Sequence, residues 1–450
     1  MITKLEVNGF KSLNNFSLEL NKGLNILVGP NGSGKTNIIL FFEFLSFLCN
    51  NQVGIAVSKV GGAGSIFRKI SFDEFEKEIS FTVEGLKKIS SKRYFKYSYS
   101  ATITNTEDFD NIYYSKQTLK IKFQSKFDSI TNQKWDFEIE TSITEKNSLT
   151  IEKFEIVNEK FKTRQYVIDH DGSINTSRNV TKELVHKILD KKSLNHNIII
   201  SLLFQILEDT AFQIIQDLRG GETFNIVPSK VKEFEDAANP PGIKKDGSGL
   251  AATLYAIKNE KFKDNFNDLP FYFFSDESRN KYKKESLVKI QDYLRLANKT
   301  IENLDVINDP FDNRLVLKIN INTHQYNAVL PLSSMSDGTI KWITLITAIL
   351  TSNSIFSIEE PENFLHPWMQ AEIVRIMRNH IIEKDEESCI IMTTHSESLL
   401  NYAEPTELIL VEFFNGKTNT MRVEDVELIK SEISNSGLGL GHFYFSNSLV

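Results

Sequence analysis

The chain has 450 residues, 40% of them hydrophobic, with 52 Lys and Arg against 59 Asp and Glu and a net charge of −7. That length buries a large core and leaves room for two or three structural units, while the acidic balance excludes a globally basic surface and leaves only a local basic groove open for nucleic acid. Cys49 and Cys389 lie in apolar segments far apart, which reads as two buried free thiols in a reducing compartment and excludes a disulfide scaffold.

The N-terminus has no apolar signal region, and the apolar stretch 38–48 is interrupted by Glu43 and too short to span a bilayer. A cytoplasmic location with no membrane contact is therefore expected. Residues 2–7 and 16–20 alternate as half-buried strands, and the apolar run 24–28 predicts a buried parallel strand. Directly after it come Gly29, Pro30, Asn31, Gly32, Ser33, Gly34, Lys35 and Thr36, which fit the phosphate-loop pattern G-x-x-x-x-G-K-[ST] in the strand–loop–helix context it requires. The glycines let the backbone N–H groups of Asn31, Gly32, Ser33 and Gly34 turn inward on a phosphate. Lys35 reaches the β- and γ-phosphates, Thr36 ligates Mg²⁺, and the positive end of the following helix faces the anion. An ATP site with Mg²⁺ is expected, the bland alternative being a glycine-rich turn that only joins strand to helix.

Residues 37–48 have the length and apolarity of the buried helix behind such a loop, and 60–65 break the pattern. From 76 to 168 short alternating runs predict an antiparallel sheet with one solvated face, the weaker alternative being a nucleic-acid platform. Periodicity turns helical over 180–218, with 198–215 apolar on more than one face, as for a helix in an interior or an interface. The stretch 220–249 is rich in Gly, Pro and charge and reads as a long loop or mobile segment. Helical patterns follow at 250–259 and 285–304, with no heptad run long enough for a coiled-coil arm. From 315 to about 426 the strand–helix alternation of an α/β domain returns.

A phosphate loop hydrolyses nothing without acidic residues at the end of a neighbouring strand. The apolar run 354–358 ends in Glu359, Glu360, Pro361 and Glu362. Glu359 suits the Mg²⁺ side of the site and Glu360 the polarisation of the attacking water. Asp169, after a shorter apolar run, is the weaker competitor. The apolar run 389–392 ends in Thr393, Thr394, His395 and Ser396, and ligands gather beyond the carboxyl ends of such strands, so His395 is expected near the γ-phosphate. Ser336 and Gly338, in a small-residue turn ahead of an apolar helix, form another helix start able to offer donors to an anion.

In this order the motifs resemble ABC-type ATPases of the SMC/RecF/OLD-like group, and among them the compact bacterial ATPases of anti-phage defence systems, including Septu-like, PARIS-like and retron-associated ones. The resemblance covers roughly 1–85 and 310–450, including the tail 437–442. It implies an α/β fold: an ABC-type P-loop ATPase head with an antiparallel β lobe and an inserted helical subdomain. The expected division is 1–85 and 310–450 for the two parts of the head, 86–175 for the lobe and 176–309 for the insertion. It further implies self-association head to head, with Ser336 and Gly338 of one subunit touching the γ-phosphate held by another. Asp337 departs from the glycine usual in the signature and Glu359 from the usual Asp, and no glutamine is assignable to the Q-loop. Lys11 matches a basic position of the group, though a plain surface lysine is an equal reading. No acidic pattern of a TOPRIM nuclease follows residue 400. The expected function is an ATP switch controlling a separate effector, such as a nuclease, in defence. A RecF- or SMC-like ATPase that binds DNA directly is the alternative, and a transporter subunit ranks last.

Overall fold

The computed structural model describes residues 1–71, 74–90, 93–106, 111–125, 135–143, 149–156, 164–168, 174–175, 197, 199–200, 203, 208–259, 284–323, 326–352, 355–383 and 388–446. Two alternating segments, β1 (Ile2–Asn8) and β2 (Phe16–Glu19), pair antiparallel ahead of β3 (Gly23–Val28), whose last five residues are all buried. The first long helix, α1 (Lys35–Asn50), follows the phosphate loop. The alternating runs then form β4 (Glu78–Ser90), β5 (Arg93–Asn105), β6 (Ile112–Ser125), β7 (Phe137–Ile143), β8 (Leu149–Ile156), β9 (Arg164–Ile168) and β10 (Ile174–Asn175).

These strands make one antiparallel sheet in the order β10-β9-β8-β7-β6-β5-β4-β1-β2. One face carries Phe81, Val83, Phe95, Tyr97 and Tyr99, all buried. On the other, cross-strand pairs join Lys96 to Glu84 at 2.8 Å, Lys120 to Glu138 at 3.0 Å, and Lys116 to Glu140, the period-2 consequence of the alternation. The sheet does not stop at the lobe. Leu5 and Val7 of β1 stand opposite Val83 and Phe81 of β4, so the N-terminal hairpin and the lobe share one buried face.

Downstream come α2 (Glu208–Arg219), β11 (Glu222–Phe224), β12 (Glu235–Asp236), α3 (Leu250–Asn259), α4 (Lys284–Ala297), β13 (Ile301–Asp309), β14 (Arg314–Thr323) and β15 (Tyr326–Pro331). The segment read as a loop over 220–249 is built into the fold: β11 lies parallel to the strand that ends in Glu359, Val227 N–H donates to Asp246 O, and Glu235 carboxylate oxygens accept from Gly249 and Ala252 N–H at the start of α3. Helical pattern read over 285–304 ends earlier, because Asn298 Oδ1 accepts from Thr300 and closes a turn before β13. Most of 180–207, and Asp169 with it, lie outside the described residues.

The chain closes with α5 (Asp337–Thr351), β16 (Ile355–Glu359), α6 (Pro367–Glu383), β17 (Cys389–Thr393), β18 (Leu408–Phe414), β19 (Lys417–Arg422) and α7 (Val426–Ser436). A second sheet runs β11-β16-β17-β3-β18-β19, parallel except for the β18–β19 hairpin. Both of its faces are covered, which is why its central strands are continuous apolar runs. Leu27, Ile391 and Ile409 point into the core shared with α1 and the antiparallel sheet, whereas Ile26, Met392 and Leu408 point into the core shared with α5 and α6. Fold class is thus α/β, a P-loop head joined to an antiparallel lobe. Cys389 is buried as expected, but Cys49 is only partly covered, and both thiols are free. In the tail, Gly441 N–H donates to Asn401 Oδ1 at 2.8 Å and docks 440–445 beside the helix Glu397–Leu400.

Candidate nucleotide site

β3 delivers the phosphate loop at the carboxyl edge of the parallel sheet, between β17 and β18. Gly34 sits at φ 104°, and a Cβ there would overlap Thr418 Oγ1 on β19, so neither the backbone nor the space admits a side chain. Thr418 Oγ1 donates to Ser33 O at 3.0 Å, accepts from Ser12 Oγ at 2.7 Å, and Ser12 in turn accepts from Asn37 Nδ2 at 2.7 Å. This chain of hydrogen bonds fastens the loop to elements far away in sequence. α1 starts with no side-chain cap and no acidic residue in its first turn, leaving its first N–H groups and the positive end of its dipole for an anion. Ser33 Oγ is buried without a partner. Lys35, buried, donates from Nζ to Gly29 O at 2.7 Å and Pro30 O at 3.1 Å. Burial lowers its pKa, and the Glu360 carboxylate opposes that shift. Ser33 N–H donates to Pro30 O at 3.2 Å, but the orphaned Ser33 hydroxyl, the uncapped amides at the start of α1 and an ammonium resting on carbonyls together fit a phosphate chain.

Glu359 ends β16 level with Thr393 of β17, which is itself level with Leu27 of β3. Burial raises its pKa, Lys245 pulls it back, and Glu43 and Glu360 push it up again. Lys245 Nζ stands 2.8 Å from Glu43 Oε1 and 3.7 Å from Glu359 Oε1. Glu43 lies two turns beyond Thr36 on the same face of α1, about 10 Å along the helix axis, and Lys245 links it to Glu359. Among the described residues no cluster of three or more His, Cys, Asp or Glu is arranged for a metal. A Mg²⁺ held by Thr36 and Glu359 would take phosphate oxygens and waters for the rest of its shell.

Glu360 takes a left-handed backbone, φ 43°, unusual for a side chain of this size. Its N–H donates to Thr393 O at 3.1 Å, and its carbonyl accepts from Lys341 Nζ at 3.0 Å. Turned in this way, its carboxylate accepts from Asn363 Nδ2 at 2.8 Å and lies 3.9 Å from His395 Nε2. Glu362 is occupied differently. Its Oε1 accepts from Thr394 Oγ1 at 2.9 Å and His395 N–H at 2.8 Å, so that oxygen positions the His395 turn, while Oε2 is buried without a partner.

Ser336 caps α5, its Oγ accepting from Thr339 N–H at 3.2 Å, and Asp337 pairs with Lys232 at 2.8 Å. A Cβ on Gly338 would come 2.7 Å from Phe364 O, so the turn needs glycine to lie against the loop that follows Glu360. Among the described residues no hydrogen bond or ion pair joins 336–338 to the phosphate loop. Lys11, at φ 47°, donates to Ser65 Oγ at 3.2 Å. Lys245, Lys341, Asn363 and Thr418 carry no mark in the sequence that points to this site, and Glu43 shows there only as an interruption of an apolar helix.

A family model described as "AAA domain, putative AbiEii toxin, Type IV TA system" matches residues 24–176 and 241–401, more than half of the chain. Septu protein PtuA of Bacillus thuringiensis is 32% identical over 82 residues, 18% of this chain and 18% of that protein. Chromosome partition protein Smc of Methanocaldococcus jannaschii is 50% identical over 38 residues, 8% of this chain and 3% of that protein. The match thus spans under a fifth of either relative's length. A solved Smc head bound to the C-winged helix domain of ScpA aligns over 95% of this chain and 99% of that one, at 13% identity and a TM-score of 0.48. With the phosphate loop, the acidic strand end and the parallel sheet in place, the resemblance to SMC-like ABC ATPases and defence ATPases holds, and the chain belongs to the family of the AAA domain, putative AbiEii toxin, Type IV TA system.

Proposed function

We propose that this chain is a cytoplasmic ATP-binding and hydrolysing switch that completes its sites by self-association and controls a separate effector, a nuclease, in bacterial anti-phage defence. One observation carries the reading: the phosphate loop, Glu359, Glu360 and His395 gather at one sheet edge, while Ser336 and Gly338 make no hydrogen bond or ion pair to the loop. In this reading the amides of Asn31, Gly32 and Gly34 and the orphaned hydroxyl of Ser33 cradle the phosphates, and Lys35 neutralises the β/γ bridge. Thr36 and Glu359 would hold Mg²⁺, and the ion would supply charge neutralisation at the phosphates. Glu360 takes a proton from water, His395 donates to the γ-phosphate, and Ser336 and Gly338 serve the loop of a second copy. The division expected at 176–309 does not hold as a separate insertion, since β11 joins the head's parallel sheet and Lys245 reaches Glu359; in this reading the head, with that stretch, passes its changes to the antiparallel lobe at 86–175, whose sheet continues into β1 and β2.

The second reading, a RecF- or SMC-like ATPase that binds DNA in repair or recombination, draws on the Smc similarity. Against it, three lysines on the open face of the antiparallel sheet, Lys96, Lys116 and Lys120, are matched by Glu84, Glu140 and Glu138, which leaves less unpaired positive charge there for a phosphate backbone. The test pairs Lys35→Ala with Glu360→Gln. Lys35→Ala should lose nucleotide binding, while Glu360→Gln binds ATP and releases phosphate at least about a hundredfold more slowly. Each protein is then incubated with plasmid DNA, ATP and Mg²⁺, with and without the product of the adjacent gene. DNA cleavage only in the presence of that product, and dependent on Lys35, supports the switch. Cleavage by this chain alone, or full-rate hydrolysis by Glu360→Gln, overturns it.

A further inference from the structure

We infer that Lys245 is a positioning residue of the metal end of this site, the chain's own cation on the Glu43 and Glu359 carboxylates, and that it competes with the divalent ion for them. The inference rests on the reading that Glu359 holds Mg²⁺. Glu43 and Glu359 are fixed on α1 and β16 with side chains only 11% and 9% exposed, whereas the Lys245 side chain is 48% exposed. Two nearly buried carboxylates side by side repel each other and raise the cost of keeping both ionised. One ammonium at 2.8 and 3.7 Å relieves this in the metal-free protein. A divalent ion does the same work with twice the charge, and the flexible lysine stem lets the ammonium withdraw to water at little cost.

Lys245 does not hang from a floppy loop. Asn225 N–H donates to Lys245 O at 2.7 Å, Val227 N–H to Asp246 O at 2.9 Å, and Lys244 N–H to Ser248 O at 2.8 Å. The turn is thus hung on the continuation of β11, the edge strand beside β16. Asp246 Oδ1 closes it by accepting from Ser248 N–H and Oγ at 3.0 and 2.7 Å. Such a turn presents its side chain to the carboxylates from a fixed anchor, so removing the ammonium changes their charge environment without loosening α1 or β16.

The experiment titrates Mn²⁺ by electron paramagnetic resonance into ADP-loaded wild type, Lys245→Met, Lys245→Arg and Glu359→Gln, and follows thermal unfolding of each in EDTA. An ammonium half open to water competes only as a partly exposed ion pair does, so Lys245→Met should bind Mn²⁺ about three- to fivefold more tightly. The same variant should unfold at a lower temperature in EDTA, a loss that Mn²⁺ with ADP restores, and Lys245→Arg should stay near wild type in both. Circular dichroism identical to wild type in EDTA at 20 °C checks that Lys245→Met is folded, and Lys245→Gln replaces it if it is not. Unchanged or weaker Mn²⁺ binding in the neutral variant overturns the inference. Glu359→Gln binding Mn²⁺ as wild type does would instead sink the metal role of Glu359, and with it the premise.

Discussion

Lys341 is the buried cation whose removal most directly tests how the acidic turn is held. It lies in α5, 1% exposed, with Nζ 3.0 Å from Glu360 O and 5.9 Å from the centre of the Phe364 ring. Burial drives its pKa down from 10.5 to about 8, although Glu362 and then Glu360 pull it back up. A fall of that size means that folding disfavours the charged form by about 3 kcal/mol. Lys341→Met removes this cost but leaves Glu360 O without its donor, a loss of about 1–3 kcal/mol. At pH 7 the variant should therefore be as stable as wild type or more stable by up to ~2 kcal/mol. The pH dependence has a definite sign. Between pH 8 and 10.5 the unfolded lysine still holds its proton while the folded one has lost it, so wild type gains stability as pH rises through that window and Lys341→Met does not. Urea midpoints at pH 7, 8.5 and 10 read both effects. Phosphate release should meanwhile drop at least about tenfold, because the left-handed turn at Glu360 loses its anchor. A variant that is several kcal/mol less stable at pH 7, or one whose midpoint climbs with pH as wild type's does, refutes the balance of burial against hydrogen bonding argued here.

Two further outcomes bear on the site. Gly34→Ala forces a side chain into φ 104° and onto Thr418, which should cost at least about 1–2 kcal/mol in unfolding and abolish nucleotide binding; wild-type affinity for ATP in that variant would show that the loop binds in another shape. Mixing Lys35→Ala with Ser336→Arg should recover part of the hydrolysis that each lacks alone, since a mixed pair keeps one intact site, and absence of recovery at every ratio, with subunit exchange shown by mass, would count against shared sites.

What the sequence disclosed was whatever chemistry is written in consecutive residues. Loop 29–36 was legible because its glycines, lysine and threonine specify backbone, charge and ligand within one turn, and Glu359–Glu360 were legible because carboxylates directly after a buried strand need a reason. Residues that meet these from elsewhere carried no such mark. Thr418, which bonds Ser33 O, lies 385 positions away, and Lys245 sat in a stretch whose Gly and Pro speak of turns but not of whether those turns are tied down. They are tied by backbone bonds to 225 and 227, a pairing set by β11 finding β16 and therefore invisible to local pattern. The same limit hid the shared sheet: the alternation of 2–7 was clear, yet its partner strand begins at Glu78. Ser336 and Gly338 show the opposite case. Their motif was readable, and the structure supplies what the motif lacks, the geometry of one subunit. Gly338 is pressed on Phe364 and Ser336 on Thr339, so the turn is braced against the loop of Glu360 from behind and bonded to nothing in its own phosphate loop. In the proposed composite site this turn sits on the helix whose Lys341 holds Glu360 O, so a phosphate brought by a second copy would bear on the acidic turn through α5, and the mixed-variant recovery above is the measurement that tests such coupling.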